Sequence, residues 1–244
     1  MAIRITGGSS GLGWAIAERF ARSGTEVFVN YHANDAAAQD AAVAIEAAGG
    51  IPHLVKADVG TPDGVRELID AVRTRVQRLD QIVHCAARMV TGPLLGADAE
   101  DFNEAVAVNG LALIHLVREA LPLLGEGSTV FFLSSRGGRI VIPNYGTLGT
   151  AKALAEHIVR YLAVEVAPRG IRVLTVSPGP LDTTAFRAMF PDTSQQRLDA
   201  AAKANPSGRG VRLEDVAATV ELLARPELAM VQGQTISVDG GMSL

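Results

Sequence analysis

Cysteine is almost absent from this 244-residue chain: Cys85 stands alone, so no disulfide can form within it. A lone thiol suits a reducing cytoplasm, the expected location. Histidine is sparse too. His32, His53, His84, His115 and His157 are scattered, without the local spacing of a metal site. There is no Lys/Arg run, and the formal net charge of −4 argues against a general nucleic-acid binder. No apolar stretch approaches the ~20 residues that span a bilayer, so no membrane partner is expected. The first strand pattern begins at Ala2 or Ile3, and no signal peptide is expected before it.

What the chain has is apolar content, 48% of its residues, enough to bury a large core. Strand-like runs fall at Ile3–Ile5, Val27–Asn30, His53–Lys56, Gln81–His84, Val130–Leu133, Arg172–Val176 and Thr235–Val238. Amphipathic stretches separate them: Trp14–Ser23, Asp35–Ala48, Gly64–Gln77, Asp101–Leu124, Lys152–Ala167 and Leu213–Ala224. Strands joined by helices of that length imply crossover units and a parallel sheet covered on both faces. With no repeat or low-complexity linker, one α/β domain over residues 1–244 is expected. The pattern turns irregular from Thr183 to Arg212, after the strand end Ser177-Pro178-Gly179-Pro180, where such sheets place ligands. This segment reads as a substrate lid. It is basic, with Arg187, Arg197, Lys203, Arg209 and Arg212 against Asp192 and Asp199.

Thr6-Gly7-Gly8-Ser9-Ser10-Gly11-Leu12-Gly13 lies between the first strand and the first helix. Small residues there let backbone approach a pyrophosphate seated on the helix N-terminus. Asp58, after the third strand, reads either as a turn carboxylate capping the helix after Thr61 or as a ligand of an adenine amino group. At the end of the second strand, Asn30-Tyr31-His32-Ala33-Asn34 lacks the carboxylate typical of NAD enzymes, and the first acid is Asp35. NADP(H) is therefore favoured, with NAD(H) still open. No Arg or Lys is near in sequence to grip a 2′-phosphate, leaving Asn30, His32 and Ser10 as modest ligands.

The ordered set Thr-Gly-x-x-x-Gly-x-Gly, Asp58-Val59, Asn109, Ser135, Lys152, Pro178-Gly179 and Val238-Asp239-Gly240-Gly241 resembles the short-chain dehydrogenase/reductases from residue 2 to the C-terminus. The resemblance implies a Rossmann-like, doubly wound fold with a seven-stranded parallel sheet, usually as a homotetramer. It implies cofactor contacts from Gly7, Ser9, Ser10, Gly11, Leu12 and Gly13. Tyr31, His32, Asp58 and Val59 would lie at the adenosine end, and Lys152, Pro178, Gly179, Leu181 and Thr183 at the nicotinamide end. Two positions depart from the family pattern. The usual tyrosine, thirteen residues after the serine, is Leu148, and the Asn-Asn-Ala-Gly after the fourth strand is His84-Cys85-Ala86-Ala87.

Tyr145 and Lys152 are instead similar to the Tyr-x6-Lys of the enoyl-acyl-carrier-protein reductase branch, in particular its NADPH-dependent type III members. Arg160–Glu165, Asp182-Thr183 and Gly233-Gln234-Thr235-Ile236 share that likeness. The spacing is chemically sensible. On a helix, positions i and i+7 share a face but stand about 10.5 Å apart axially, against about 6 Å for i and i+4. In an enoyl thioester, hydride goes to Cβ while charge develops on an oxygen three bonds away, so the acid belongs further from the nicotinamide.

Tyr145 is thus expected to hydrogen-bond the thioester oxygen and stabilise the enolate, or donate its proton. Lys152 is expected to bind the nicotinamide ribose and favour the anion. Ser135 is a second donor or a pocket wall, and Asn109 holds a helix kink and a water beside Lys152. Bland readings compete: a packed loop tyrosine, a solvated lysine, a strand-ending serine and an ordinary helix asparagine. Cys85 reads as a small buried hydrophobe, and His84 as a satisfied strand-end histidine. The expected substrate is an acyl thioester or another small activated alkene, with acyl carrier protein a partner suited to the basic lid. A ketoreductase or alcohol dehydrogenase, and a non-catalytic NADP(H)-binding regulator, are the alternatives.

Overall fold

The computed structural model describes residues 1–244. Seven strands form one parallel sheet: β1 Ala2–Thr6, β2 Glu26–Tyr31, β3 Ile51–Lys56, β4 Gln81–His84, β5 Thr129–Leu133, β6 Arg172–Pro178 and β7 Thr235–Val238. Their spatial order is β3-β2-β1-β4-β5-β6-β7. The strand order reverses between β1 and β4, which opens a crevice at the carboxyl ends of the strands, the usual ligand position in doubly wound sheets. Both faces are covered, so β1 and β5 are buried at every position, the polar Arg4 and Thr6 of β1 included.

Helices α1 Gly11–Phe20, α2 Asp35–Ala47 and α9 Leu213–Leu223 cover one face. The other carries α3 Pro62–Arg73, α4 Ala99–Val106, α5 Ala112–Ala120 and α6 Gly146–Val166. Local chemistry sets their starts. Asn34 accepts a hydrogen bond from the Ala37 N–H (3.0 Å) ahead of α2. Thr61 does the same for Gly64 (3.0 Å) ahead of α3, whose first helical residue is Pro62. On α3, Val65, Leu68, Ile69 and Val72 form the buried stripe.

Between α4 and α5, residues Ala107–Leu111 form a π-turn. The fully buried Asn109 side chain donates to Ala105 O (2.9 Å), the i−4 carbonyl an α-helical ladder gives to the backbone N–H, so the ladder widens there. The expected kink is thus built by the side chain itself.

Two sequence expectations need correcting. Residues 183–212 are not irregular throughout but contain α7 Thr184–Met189 and α8 Ser194–Ala204. In addition, the helical run Ala99–Leu123, with a window mean hydropathy of 1.4, is long and apolar enough by length and composition to cross a bilayer. It opens with Glu100, Asp101 and Glu104 and packs Leu113, Leu116 and Val117 into the core, which is the behaviour of a core helix.

Candidate active site

The crevice holds a cavity of about 640 Å³, a usual size for a ligand pocket. One end is made of backbone. Gly7 and Gly11 have φ of +62° and +52°, a left-handed conformation that glycine adopts without strain. A Cβ on Gly7 would lie 2.9 Å from Ala86 Cα, and one on Gly13 would overlap the Gly7 carbonyl oxygen. This close approach leaves a cradle at the start of α1 that a side chain would fill, as a dinucleotide pyrophosphate requires.

Ser10, Leu12, Pro178, Gly179, Leu181 and Thr183 line the same cavity. Thr183 caps α7 by accepting from the Phe186 N–H (3.0 Å), and its Cγ2 would lie 3.3 Å from a Cβ on Gly11. The strand β6 end thereby closes over the glycine turn. Ser9 is half-buried within that turn.

Tyr31, His32, Asp58 and Val59 lie at the ends of β2 and β3, outside the residues lining the cavity. Asp58 accepts from the Gly60 N–H (2.8 Å) and its carboxylate is 4.0 Å from His32, while Thr61 rather than Asp58 caps α3. The buried Asn30 is not free for a ligand: its amide donates to Val55 O and Ala57 O (3.2 and 3.0 Å).

A cation does stand at this end, contrary to the sequence expectation. Lys56 pairs in register with Tyr31 across β2 and β3, and its ammonium donates to both Asp35 oxygens (3.0 and 2.9 Å). Tyr31 also hydrogen-bonds Asp35, whose carboxyl is held below its usual range by Lys56 first and Tyr31 second. Lys56 escaped notice because it is 25 residues from Tyr31 in sequence, and only strand pairing joins them.

The other end is made of side chains. Tyr145 is the residue just before α6 and not within it, following Asn144 at φ +63°. Its ring lies so close to Gly137 that a Cβ there would overlap it, and a Cβ on Gly149 would lie 2.6 Å from Gly137 O. Ser135 hydrogen-bonds the Tyr145 hydroxyl and also accepts from the Gly137 N–H (3.1 Å). Burial raises the Tyr145 pKa, with the Ser135 bond opposing, so the phenol keeps its proton at neutral pH. The fully buried Leu148 lines the cavity beside it.

Lys152, two turns further along α6, is buried rather than solvated. Its ammonium donates to Leu133 O (2.8 Å) and lies 4.8 Å above the Phe132 ring. Burial lowers its pKa to about 8, with Cys85 and Glu156 acting in the opposite sense. Glu156, one turn on and itself buried, accepts from Ser134 Oγ (2.6 Å) and Arg139 Nε (2.9 Å). Sequence reasoning passed over this clamp, although the i, i+4 spacing of Lys152 and Glu156 was visible. It also passed over Gly137 and Gly110. A Cβ on Gly110 would lie 3.1 Å from Leu154, so its absence lets the π-turn pack on α6.

Asn109 donates a second bond to Arg88 O (2.9 Å), and its Oδ1 is buried with no protein partner. His84 is satisfied on both nitrogens. The Thr6 hydroxyl accepts from Cys85 and Ala86 N–H (3.0 and 3.1 Å) and donates to His84 Nδ1 (2.8 Å). The His84 Nε2–H then donates to Val108 O in the π-turn (3.0 Å). Burial, with the charges of Lys152 and Arg4, lowers His84 to about 3, so it is neutral. Cys85 lines the cavity, its thiol pushed by burial up to about 11 and therefore unreactive.

The far wall is apolar, with Met89, Ile140, Ile142, Phe186, Met189 and Phe190. The expected excess of positive charge on residues 183–212 is partly cancelled by acids outside that segment. Arg187 pairs with Asp182 (2.7 Å) and Arg209 with Asp215, whose carboxyl falls to about 2 chiefly through that arginine.

Comparison with known proteins places this geometry. Residues 7–243 match the family model described as enoyl-(acyl carrier protein) reductase. A 1-cyclohexenylcarbonyl-CoA reductase of Streptomyces collinus is 34% identical over 98% of this chain and 86% of its own. An enoyl-(acyl-carrier-protein) reductase (NADH) of Synechocystis sp. is 32% identical over 96% of this chain and 92% of its own. Among solved structures, the angucycline C-6 ketoreductase LanV with bound NADP superposes with a TM-score of 0.89. It is 28% identical, covering 99% of this chain and 95% of that one. The seven-stranded parallel sheet, the glycine cradle and the match over nearly the whole length identify this chain as a member of the short-chain dehydrogenase/reductases, in the enoyl-(acyl carrier protein) reductase-like group, and as an oxidoreductase.

Proposed function

We propose that the protein reduces the conjugated C=C bond of an enoyl thioester with NADPH. One observation carries this reading. The only tyrosine lining the cavity, Tyr145, sits before α6 and seven residues from Lys152, while Leu148 fills the position thirteen residues after Ser135. The acid therefore stands about one turn further from Lys152 than the usual tyrosine position, in the direction that conjugate reduction requires.

When bound, the reduced nicotinamide supplies hydride to the β-carbon. Tyr145, protonated and hydrogen-bonded to Ser135, donates to the thioester oxygen and stabilises the enolate charge. The α-carbon then takes a proton from solvent, so that one hydride and one proton complete the reduction. Lys152 binds the nicotinamide ribose and holds a positive charge near the anion. Asn109, with its free Oδ1, holds a water beside it. Helices α7 and α8 and the turn between them act as a lid, contributing Phe186, Met189, Phe190 and Arg197 to the cavity.

Lys56 supports the choice of NADPH, as the cation beside Tyr31 and His32 where a 2′-phosphate would lie. An acyl carrier protein is a suitable partner, and the π-turn and α6 leave Leu111, Tyr161 and Val164 exposed for contacts in a homotetramer. A ketoreductase is the second reading, favoured by the likeness to LanV.

The test is NADPH oxidation with crotonyl and acetoacetyl thioesters, using wild type and Tyr145→Phe. Turnover of the enoyl substrate alone, reduced at least ~100-fold by the substitution, supports the proposal. Turnover of the keto substrate alone would replace it with carbonyl reduction.

A further inference from the structure

The cavity contains three cationic side chains, Lys152, Arg136 and Arg197, and no Asp or Glu. Lys152 is assigned to the chemistry. Arg197 on α8 is largely engaged: its guanidinium stacks 4.1 Å from the Phe190 centroid and its Nε donates to Thr193 Oγ1 (3.1 Å). Arg136 is different. It directly follows Ser135 and opens the 3-10 turn Arg136–Gly138. A guanidinium offers five N–H donors, yet here the polar contacts are only Met242 Sδ at 3.8 Å and Met242 O at 3.4 Å. Its Nε is shielded from solvent with no partner. No carboxylate lies within ion-pairing distance of it, whereas Arg139, three residues on, is paired with Glu156. Nothing in the proposed reduction uses Arg136.

A half-buried arginine with idle donors in an acid-free, mostly apolar cavity is complementary to a planar anion, because its fork matches a carboxylate in two parallel hydrogen bonds. The low polarity of the surroundings strengthens such a contact. The position narrows the source of the anion. Arg136 shares its turn with Gly137, against which the Tyr145 ring packs, and adjoins Ser135, which touches the Tyr145 hydroxyl. Met242, against which the guanidinium lies, lines the same cavity as Ser135, Tyr145 and Lys152, so an anion at Arg136 shares that cavity with the reacting groups. A carrier phosphate is separated from the thioester by the length of the pantetheine arm. We propose that Arg136 binds a carboxylate on the acyl group itself, so that the substrates are acidic enoyl thioesters, monothioesters of unsaturated dicarboxylic acids. This rests on the enoyl-reductase reading and adds the substrate class to it.

The experiment compares kcat and KM for the N-acetylcysteamine thioesters of glutaconate and crotonate, which carry no phosphate, in wild type, Arg136→Met and Arg136→Lys. Wild type should favour the acidic substrate by roughly ten-fold or more in kcat/KM, mainly through KM. Arg136→Met should abolish that ratio whatever it does to either rate, and Arg136→Lys should restore part of it. A merely structural arginine would lower both substrates alike and leave the ratio unmoved, which overturns the proposal. Crotonyl-CoA is the control for phosphate. A CoA advantage erased by Arg136→Met, with no preference for glutaconyl, would assign the anion to the carrier and also overturn it. If wild type reduces neither thioester, the enoyl reading fails by itself. Calorimetric binding of monomethyl glutaconate against methyl crotonate to the NADP⁺ complex then decides on Arg136: tighter binding of the acid, lost in Arg136→Met, sustains the carboxylate site, and equal binding ends it.

Discussion

At one end of the cleft Gly7, Gly11 and Gly13 bring backbone against backbone, with no room for a methyl group on Gly7 or Gly13. At the other end Tyr145, Lys152 and Glu156 are polar side chains taken out of water and matched to partners drawn from the β5 end and the turn after it. The first end works by steric exclusion, which is local and tolerates almost no change in shape. The second works by desolvation and charge, which depend on what the rest of the chain packs around it. Shape substitutions should therefore be severe at the glycine end, and charge substitutions graded and pH-dependent at the other.

Gly13→Ala should have the largest effect. The added Cβ meets the Gly7 carbonyl, which is backbone and cannot swing aside. A cost of about 3 kcal/mol corresponds to roughly a hundred-fold weaker NADPH binding. Fluorescence titration gives the affinity and thermal unfolding shows whether the fold survives. Undiminished binding would break the steric account.

Glu156→Gln should give an intermediate effect and sharpen the charge account. In the proposed reduction Lys152 acts as a cation, and its lowered pKa of about 8 makes the rate fall as pH rises through that value. Removing the Glu156 charge removes an influence that raises that pKa, so the alkaline limb moves to lower pH. The rate at pH 8 drops about 2–5-fold while the acid side holds. A pH–rate profile checks this. An unmoved limb with lowered thermal stability would make Glu156 a mechanical clamp for the Ser134–Arg139 turn.

The smallest effect is expected at the exposed adenosine end. Lys56→Gln should weaken NADPH about 2-fold and leave NADH unchanged, since the Lys56–Asp35 pair is exposed and readily exchanged for a phosphate. Equal losses for both cofactors would remove Lys56 from the phosphate site.

Much of the fold was legible because alternating strands and amphipathic helices repeat a periodicity that each segment carries on its own. The expected β4 Gln81–His84 and β7 Thr235–Val238 coincide with the observed strands. Helix α8 was not legible for a physical reason. Its sequence, SQQRLDAAAKA, buries only Ser194, because Ala200, Ala201 and Ala204 face the cavity instead of a core and leave no strong apolar stripe. At the candidate site, Ser135, Tyr145 and Lys152 could be picked out by their likeness to the family's ordered motifs. Lys56, Gly137 and the Arg136 donors could not.

By itself the sequence determined the alternation of strands and helices, the glycine turn and the seven-residue Tyr145–Lys152 spacing, since these depend on neighbours along the chain and on the geometry of helix and strand. Only the tertiary structure decided that Lys152 is buried against Leu133 and Phe132, that Lys56 stands beside Tyr31, and that Arg136 has no acid within reach. Solvation and pairing of a charge depend on atoms brought close by folding from distant parts of the sequence.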